Sequence, residues 1–164
     1  MQYTSVYYSP LGDMVITADD TAVTGVQFAG QKHFDPAVCG ACEETETPLI
    51  IRVKKWLDVY FSGKEPDFRL PLRFAGTDFQ KEVWGILCTI PYGQTMTYGD
   101  IAGILSARRC TGKMSAQAVG GAVGRNPIAI LVPCHRVIGK DGSMTGYAAG
   151  IHRKIALLQL ENCP

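Results

Sequence analysis

A break near the middle of the chain limits what it can fold into. Ser62 to Gly76 contains two prolines and two glycines, and the apolar pattern changes across it. Before it, β-branched and aromatic residues gather in short runs. After it, apolar residues recur every three or four positions, which is the helical period. One continuous sheet or one helical bundle would need one period throughout. The pattern predicts an α+β chain with a small N-terminal unit over 1–75 and a mainly helical unit over 76–164. With 164 residues, 46% of them hydrophobic, both units can build a core.

The first unit reads as strands followed by a helix. Gln2 to Tyr8, Met14 to Ala18 and Ala22 to Phe28 are strand-like. Ser9-Pro10-Leu11-Gly12 and Asp19-Asp20-Thr21 separate them as turns, which predicts a three-stranded antiparallel meander. Gln31 to Glu46 has no usable period and reads as an irregular connection. A helix opens at Thr47-Pro48, a capping residue before proline at the first helical position. Its stripe is Leu49, Val53, Trp56, Leu57 and Tyr60, and Gly63 lies just past its end.

In the second unit, Thr77 to Gln80 has the form of a capping box, with Phe79, Val83, Ile86, Leu87 and Ile90 along one helix face. Thr97 to Asp100 opens a second helix carrying Ile101, Ala102, Ile104 and Leu105. After a basic turn (Arg108, Arg109, Gly112, Lys113), Ser115 caps a third helix reaching about Val123. Helix, turn, helix with a basic rim fits a DNA reader, and it also fits an ordinary pair of antiparallel helices. Ala116, Ala118, Gly120, Gly121 and Ala122 leave the third helix without bulk, so something approaches it closely: a packed neighbour or a ligand. Ile128 to Val132 reads as one buried extended segment ending at Pro133-Cys134-His135-Arg136-Val137. A glycine-rich loop then leads to a last helix with Ile151, Ile155, Leu158 and Glu161.

Charge is divided unevenly. Residues 1–75 hold 7 Lys/Arg against 10 Asp/Glu, and residues 76–164 hold 9 against 5. A basic second unit permits a polyanionic partner. The six scattered cysteines (39, 42, 88, 110, 134, 163) do not form a disulfide framework for a chain this long. No basic, apolar leader opens the chain, and no apolar run reaches membrane-spanning length. These features predict a soluble protein of a reducing compartment with free thiols.

Cys134 is the candidate for chemistry. An isolated thiol is only about 3% thiolate at neutral pH, and the thiolate is the nucleophile. His135 and Arg136 beside it could raise that fraction, given a bend that brings neighbours to one side, and Pro133 fits such a bend. A buried cysteine next to a surface histidine has the same sequence. Cys39 and Cys42, with His33 upstream, have half of a metal-site spacing but no evident fourth ligand, so they read as loop cysteines.

Residues 126–137, Asn-Pro-Ile-Ala-Ile-Leu-Val-Pro-Cys-His-Arg-Val, resemble the active-site signature of the O(6)-alkylguanine-DNA alkyltransferase family. The resemblance extends through Phe79-Gln80, Val83-Trp84, Ile90 to Gly93, Thr97-Tyr98, Ala118 to Ala122, Gly146-Tyr147 and Leu160-Glu161. It is looser over residues 1–75. It implies a ribonuclease H-like N-terminal subdomain and a winged-helix-like DNA-binding domain. The implied activity is stoichiometric DNA repair. An O(6)-alkylguanine is flipped out of duplex DNA through the minor groove, and its alkyl group moves irreversibly to Cys134.

In this resemblance His135 and Glu161 activate the thiol through a water, Asn126 supports the network, and Tyr98 serves the leaving purine. Ser115, Gln117, Ala118, Gly121, Ala122, Arg125 and Arg136 are the candidate DNA contacts. Val132, Pro133, Tyr147, Ala148 and Ala149 are the candidate pocket. The resemblance implies a monomer acting in the cytoplasm, at the nucleoid or nucleus, with neither metal nor organic cofactor. Gln117 departs from it, because an intercalating arginine is usual there, and Ala148-Ala149 stand where serine or glycine is common. Two other readings are a non-repairing lesion sensor, against which Cys134 argues, and a thiol hydrolase, for which no oxyanion hole is evident.

Overall fold

The computed structural model describes residues 1–33, 42–109, 114–144 and 146–162. Cys39, Cys110 and Cys163 lie outside the described residues. The chain divides into two compact units. One comprises Met1–Ala75 with Pro127–Ala129, and the other comprises Gly76–Asn126 with Ile130–Pro164.

The first unit is a four-stranded sheet carrying one helix. β1 (Gln2–Ser9), β2 (Gly12–Ala18) and β3 (Val23–Phe28) form the antiparallel meander, with Ser9 opposite Gly12 and Met14 opposite Phe28. Gly12 holds φ at 125°, a conformation that costs glycine little and lets the chain reverse so tightly. A fourth strand, β4 (Cys42–Glu44), runs parallel to β1 with Gln2 opposite Cys42. It falls in the stretch read from sequence as irregular, because three residues are too few to show a period.

α1 (Pro48–Phe61) is capped by Thr47, whose side chain accepts from the Ile50 amide at 3.2 Å. It packs on β1 and β2 and buries Leu49, Ile50, Val53, Leu57 and Tyr60. Trp56, expected on that stripe, is only half-buried and stacks on Tyr60 at 5.6 Å between ring centroids. Met14, Ile16, Val26 and Phe28 complete a solvent-free core.

The second unit is mainly helical: α2 (Asp78–Leu87), α3 (Tyr98–Arg109), α4 (Ala116–Gly124) and α5 (Ile151–Leu160). A two-residue parallel pair joins β5 (Met96–Thr97) to β6 (Val137–Ile138). The capping box of α2 is complete, with Thr77 and Gln80 each bonding the other's backbone amide. Thr97 and Asp100 repeat this reciprocal arrangement at the start of α3. α3 and α4 pack together as the helix-turn-helix pair. The Trp84 indole fixes α4 from inside by donating to the Ala122 carbonyl at 2.9 Å.

Two expectations change. Ile128 to Val132 is not one strand, because Ile130 takes a left-handed φ of 69° and turns the chain there. A β-branched residue in that region is strained by about 1–3 kcal/mol, held here by complete burial of its side chain. The apolar residues picked out along α5 are also not all buried. Lys154, Leu157 and Leu158 are buried, while Ile151 and Ile155 are exposed. Among the described residues, no helix is long and apolar enough to cross a membrane.

Candidate active site

Past Ile130 the chain turns inward, and Val132, Pro133 and Cys134 are all buried. Cys134–Arg136 then forms a single 3₁₀ turn. Three residues per turn lift the strand rule that neighbouring side chains oppose each other. Cys134 and His135 therefore enter the same interior, 6% and 0% exposed. Asn126, buried at the end of α4, donates from Nδ2 to the Val132 carbonyl at 2.9 Å and also hydrogen-bonds the Cys134 thiol. One amide thus fixes both the approach to the thiol and the thiol itself.

His135 Nε2 meets Glu161 Oε2 at 2.6 Å, with neither side chain exposed. Glu161 is the C-cap of α5, so the helix end aims its carboxylate. An ionised carboxylate only accepts, so Nε2 carries the proton and Nδ1 keeps its lone pair. Burial is the main influence on the imidazole and holds its pKa below the usual histidine value. The thiol is governed in the same way: burial pushes its pKa up, against the opposing pulls of Asn126 and Lys154. Both shifts favour the neutral forms, an imidazole able to accept a proton at Nδ1 beside a protonated thiol.

Lys154 was not legible from sequence as part of this site. Its side chain is wholly buried, with Nζ 5.9 Å from the centroid of the Tyr98 ring. Burial lowers its pKa to about 8, and Cys134 is the group that raises it. Tyr98, at the start of α3, packs beside Gly146 and Gly120. A Cβ on Gly146 would sit 3.0 Å from the Tyr98 hydroxyl. The buried Tyr147 hydroxyl has no oxygen or nitrogen partner among the described residues and lies toward the Cys134 thiol. Ala149 is buried and Ala148 half-buried beside it.

The candidate DNA contacts divide by exposure. Ser115, Gln117, Ala118, Gly121 and Arg125 are exposed. A Cβ on Gly121 would meet nothing within 4 Å, so internal packing does not require glycine there. Ala122 is 4% exposed on the inner face of α4 and offers no side chain to a partner. Arg136 is 8% exposed and spent internally: Nε donates to Glu161 Oε1 at 2.8 Å and Nη1 to the Ile90 carbonyl at 2.8 Å. It does not serve as a surface phosphate contact. Among the described residues, no three His, Cys, Asp or Glu side chains are grouped to hold a metal.

A helix-turn-helix pair beside buried Cys134, Asn126, His135 and Glu161 fits the class of DNA-binding proteins that carry a buried thiol next to a His–Glu pair. Residues 78–163 match the 6-O-methylguanine DNA methyltransferase DNA-binding domain, and residues 2–74 match that family's ribonuclease-like domain. The chain belongs to the 6-O-methylguanine DNA methyltransferase family. It is 43% identical over 162 residues to a methylated-DNA–protein-cysteine methyltransferase of Methanosarcina barkeri, covering 97% of this chain and 96% of that one. With the Mycobacterium leprae protein of the same name it shares 41% identity over 153 residues, covering 93% and 88%. The crystal structure of Mycobacterium tuberculosis OGT in complex with DNA superposes with a TM-score of 0.85 at 38% identity, covering 99% and 95%.

Proposed function

We propose that Cys134 is the acceptor in this family's reaction, DNA repair by direct transfer of an alkyl group to a protein cysteine. The observation that carries the assignment is the buried chain of Cys134, Asn126, His135 and Glu161 built on one 3₁₀ turn and one helix end. The thiol proton passes to His135 Nδ1, directly or through one water, as Glu161 stabilises the imidazolium that forms. Sulfur then displaces guanine from the alkyl carbon. The S–C bond forms, the C–O6 bond breaks, and the electron pair leaves with the purine, to which the Tyr98 hydroxyl donates. Lys154 places a positive charge near the developing thiolate. A thioether has no facile reverse step, so each molecule acts once.

The partner is duplex DNA carrying O(6)-alkylguanine, met by a monomer in the cytoplasm or at the nucleoid or nucleus. The exposed face of α4 enters the minor groove through Gln117, Ala118 and Gly121, with Ser115 and Arg125 at phosphates. Glycine and alanine there admit the backbone to a narrow groove, and the open space around Gly121 supports this use over internal packing. The pocket for the flipped base is bounded by Val132, Pro133, Tyr147, Ala148 and Ala149.

The test is the intact mass after incubation with duplex DNA containing O(6)-methylguanine, alongside Cys134→Ser. One added methyl group, mapped to Cys134 and absent from the variant, is the expected result. Tight lesion binding without mass change would place the protein with lesion sensors instead.

A further inference from the structure

Arg136 is the one charge in the network to which the reaction has assigned no part. Its Nε donates to Glu161 Oε1 at 2.8 Å, and the Gly93 amide donates to the same oxygen at 3.1 Å. Its Nη1 holds the Ile90 carbonyl at 2.8 Å, and its guanidinium carbon lies 5.7 Å from the centroid of the Tyr92 ring. One carboxylate oxygen of Glu161 is thus engaged by two donors, while the other meets His135 at 2.6 Å. The Arg136–Glu161 pair itself is buried, with the arginine side chain 9% and the carboxylate 0% exposed.

We propose that Arg136 is a positioning residue for alkyl transfer: it clamps Glu161 as an ionised carboxylate with a single oxygen facing His135, so the imidazole stays in its neutral, Nε2-protonated form. The proposal rests on His135 being the base. A buried carboxylate with only an imidazole beside it draws a proton onto the ring, because the interior favours one cation per anion. A protonated imidazole cannot accept from the thiol. Arginine cannot lose its proton inside a protein, so it supplies that counter-charge permanently and His135 need not. The fork of Nε and Nη1 also ties the carboxylate to the turn after α2, which fixes its rotation.

The groups facing His135 fit this balance. Cys134 and Arg136 come from its own turn, and Glu161 and Lys154 from α5. Tyr147 faces the same carboxylate, and Tyr92 lies against the guanidinium. Both cations disfavour the imidazolium, with burial acting in the same direction, and only Glu161 favours it. Taking away the Arg136 charge lets the ring keep its proton to higher pH.

The experiment is single-turnover methyl transfer from saturating duplex DNA, followed across pH for wild type, Arg136→Met and Arg136→Lys, with the methyl group mapped by mass spectrometry. In Arg136→Met the acid limb moves up by about one pH unit, giving roughly tenfold slower transfer below the midpoint and little change on the alkaline side. Arg136→Lys keeps the charge and the wild-type midpoint. A loss that is uniform across pH, or equal midpoints for Met and Lys variants, overturns the proposal.

If Arg136→Met does not fold, nitrogen-15 NMR of wild-type imidazoles decides, with His135 assigned against His33 and His152. A neutral Nε2–H ring at neutral pH is expected, and a charged ring or an Nδ1–H tautomer overturns the proposal. This arm uses no DNA. A methyl group mapped elsewhere than Cys134 would therefore sink the acceptor assignment without touching the NMR result.

Discussion

Lys154→Met makes the protein more stable and less active, and the sign of each effect follows from burial. Lys154 has a pKa of about 8 in the folded chain and 10.5 when unperturbed. At 1.36 kcal/mol per unit, holding that charge in the interior at neutral pH costs about 3 kcal/mol. Methionine keeps an unbranched stem in the same space and removes the charge. It also forfeits the cation–π contact with Tyr98, worth about 1 kcal/mol. A net gain of about 2 kcal/mol at neutral pH remains.

The pH dependence distinguishes this from a simple packing change. Because the folded pKa is depressed, the unfolded chain binds more protons between about pH 8 and 10.5. Wild-type stability therefore rises with pH across that window relative to the variant, and the two converge above it. Urea denaturation of both proteins at several pH values measures this difference directly. Methyl transfer falls by about tenfold or more in the variant, since the thiolate loses its neighbouring cation. A variant less stable than wild type at neutral pH, or a stability difference independent of pH, would refute the reasoning.

Two further outcomes concern α4. Gly121→Ala raises stability by up to about 1 kcal/mol, because the new methyl group meets empty space and alanine is the better helix former. Gly121→Leu leaves the fold intact but weakens duplex binding about tenfold or more by anisotropy, and unchanged binding would remove this face of α4 from the interface. Gln117→Arg tightens binding and steepens its salt dependence by up to about one unit of log–log slope, because the arginine brings one more cation into the groove and releases counterions from the DNA. Unchanged affinity and slope would show that position 117 does not enter the groove.

The legible parts of this fold were those where local chemistry acts alone. Thr47-Pro48 and the Thr77 to Gln80 box each mark a helix start through a side chain bonding an amide a few residues away, and both caps form. The meander follows from strand runs separated by short turns, and its pairing requires no distant partner. β4 and the β5–β6 pair escaped because two or three residues cannot show a period and gain meaning only from a distant partner strand.

The candidate site was legible as a set of residues that cluster, but not in its balance of charge. Cys134, His135, Asn126 and Glu161 come together in one buried network. Pattern reading assumes that charge lies outside, and two cations here lie inside. The spacing of Ile151, Ile155 and Leu158 says nothing of Lys154, whereas the helix is rotated to place the lysine inside and leave Ile151 and Ile155 exposed. Arg136, set beside a reactive cysteine in a basic unit, read as a phosphate contact, yet its bonds go to Glu161 and Ile90. Both residues violate the helix and surface rules for the same reason. A buried thiol that must become an anion, beside a buried glutamate, leaves the interior short of positive charge. Two cations drawn inward meet that need: Arg136 pairs with Glu161, and Lys154, its pKa lowered by burial to about 8, is held inside at a cost in folding stability.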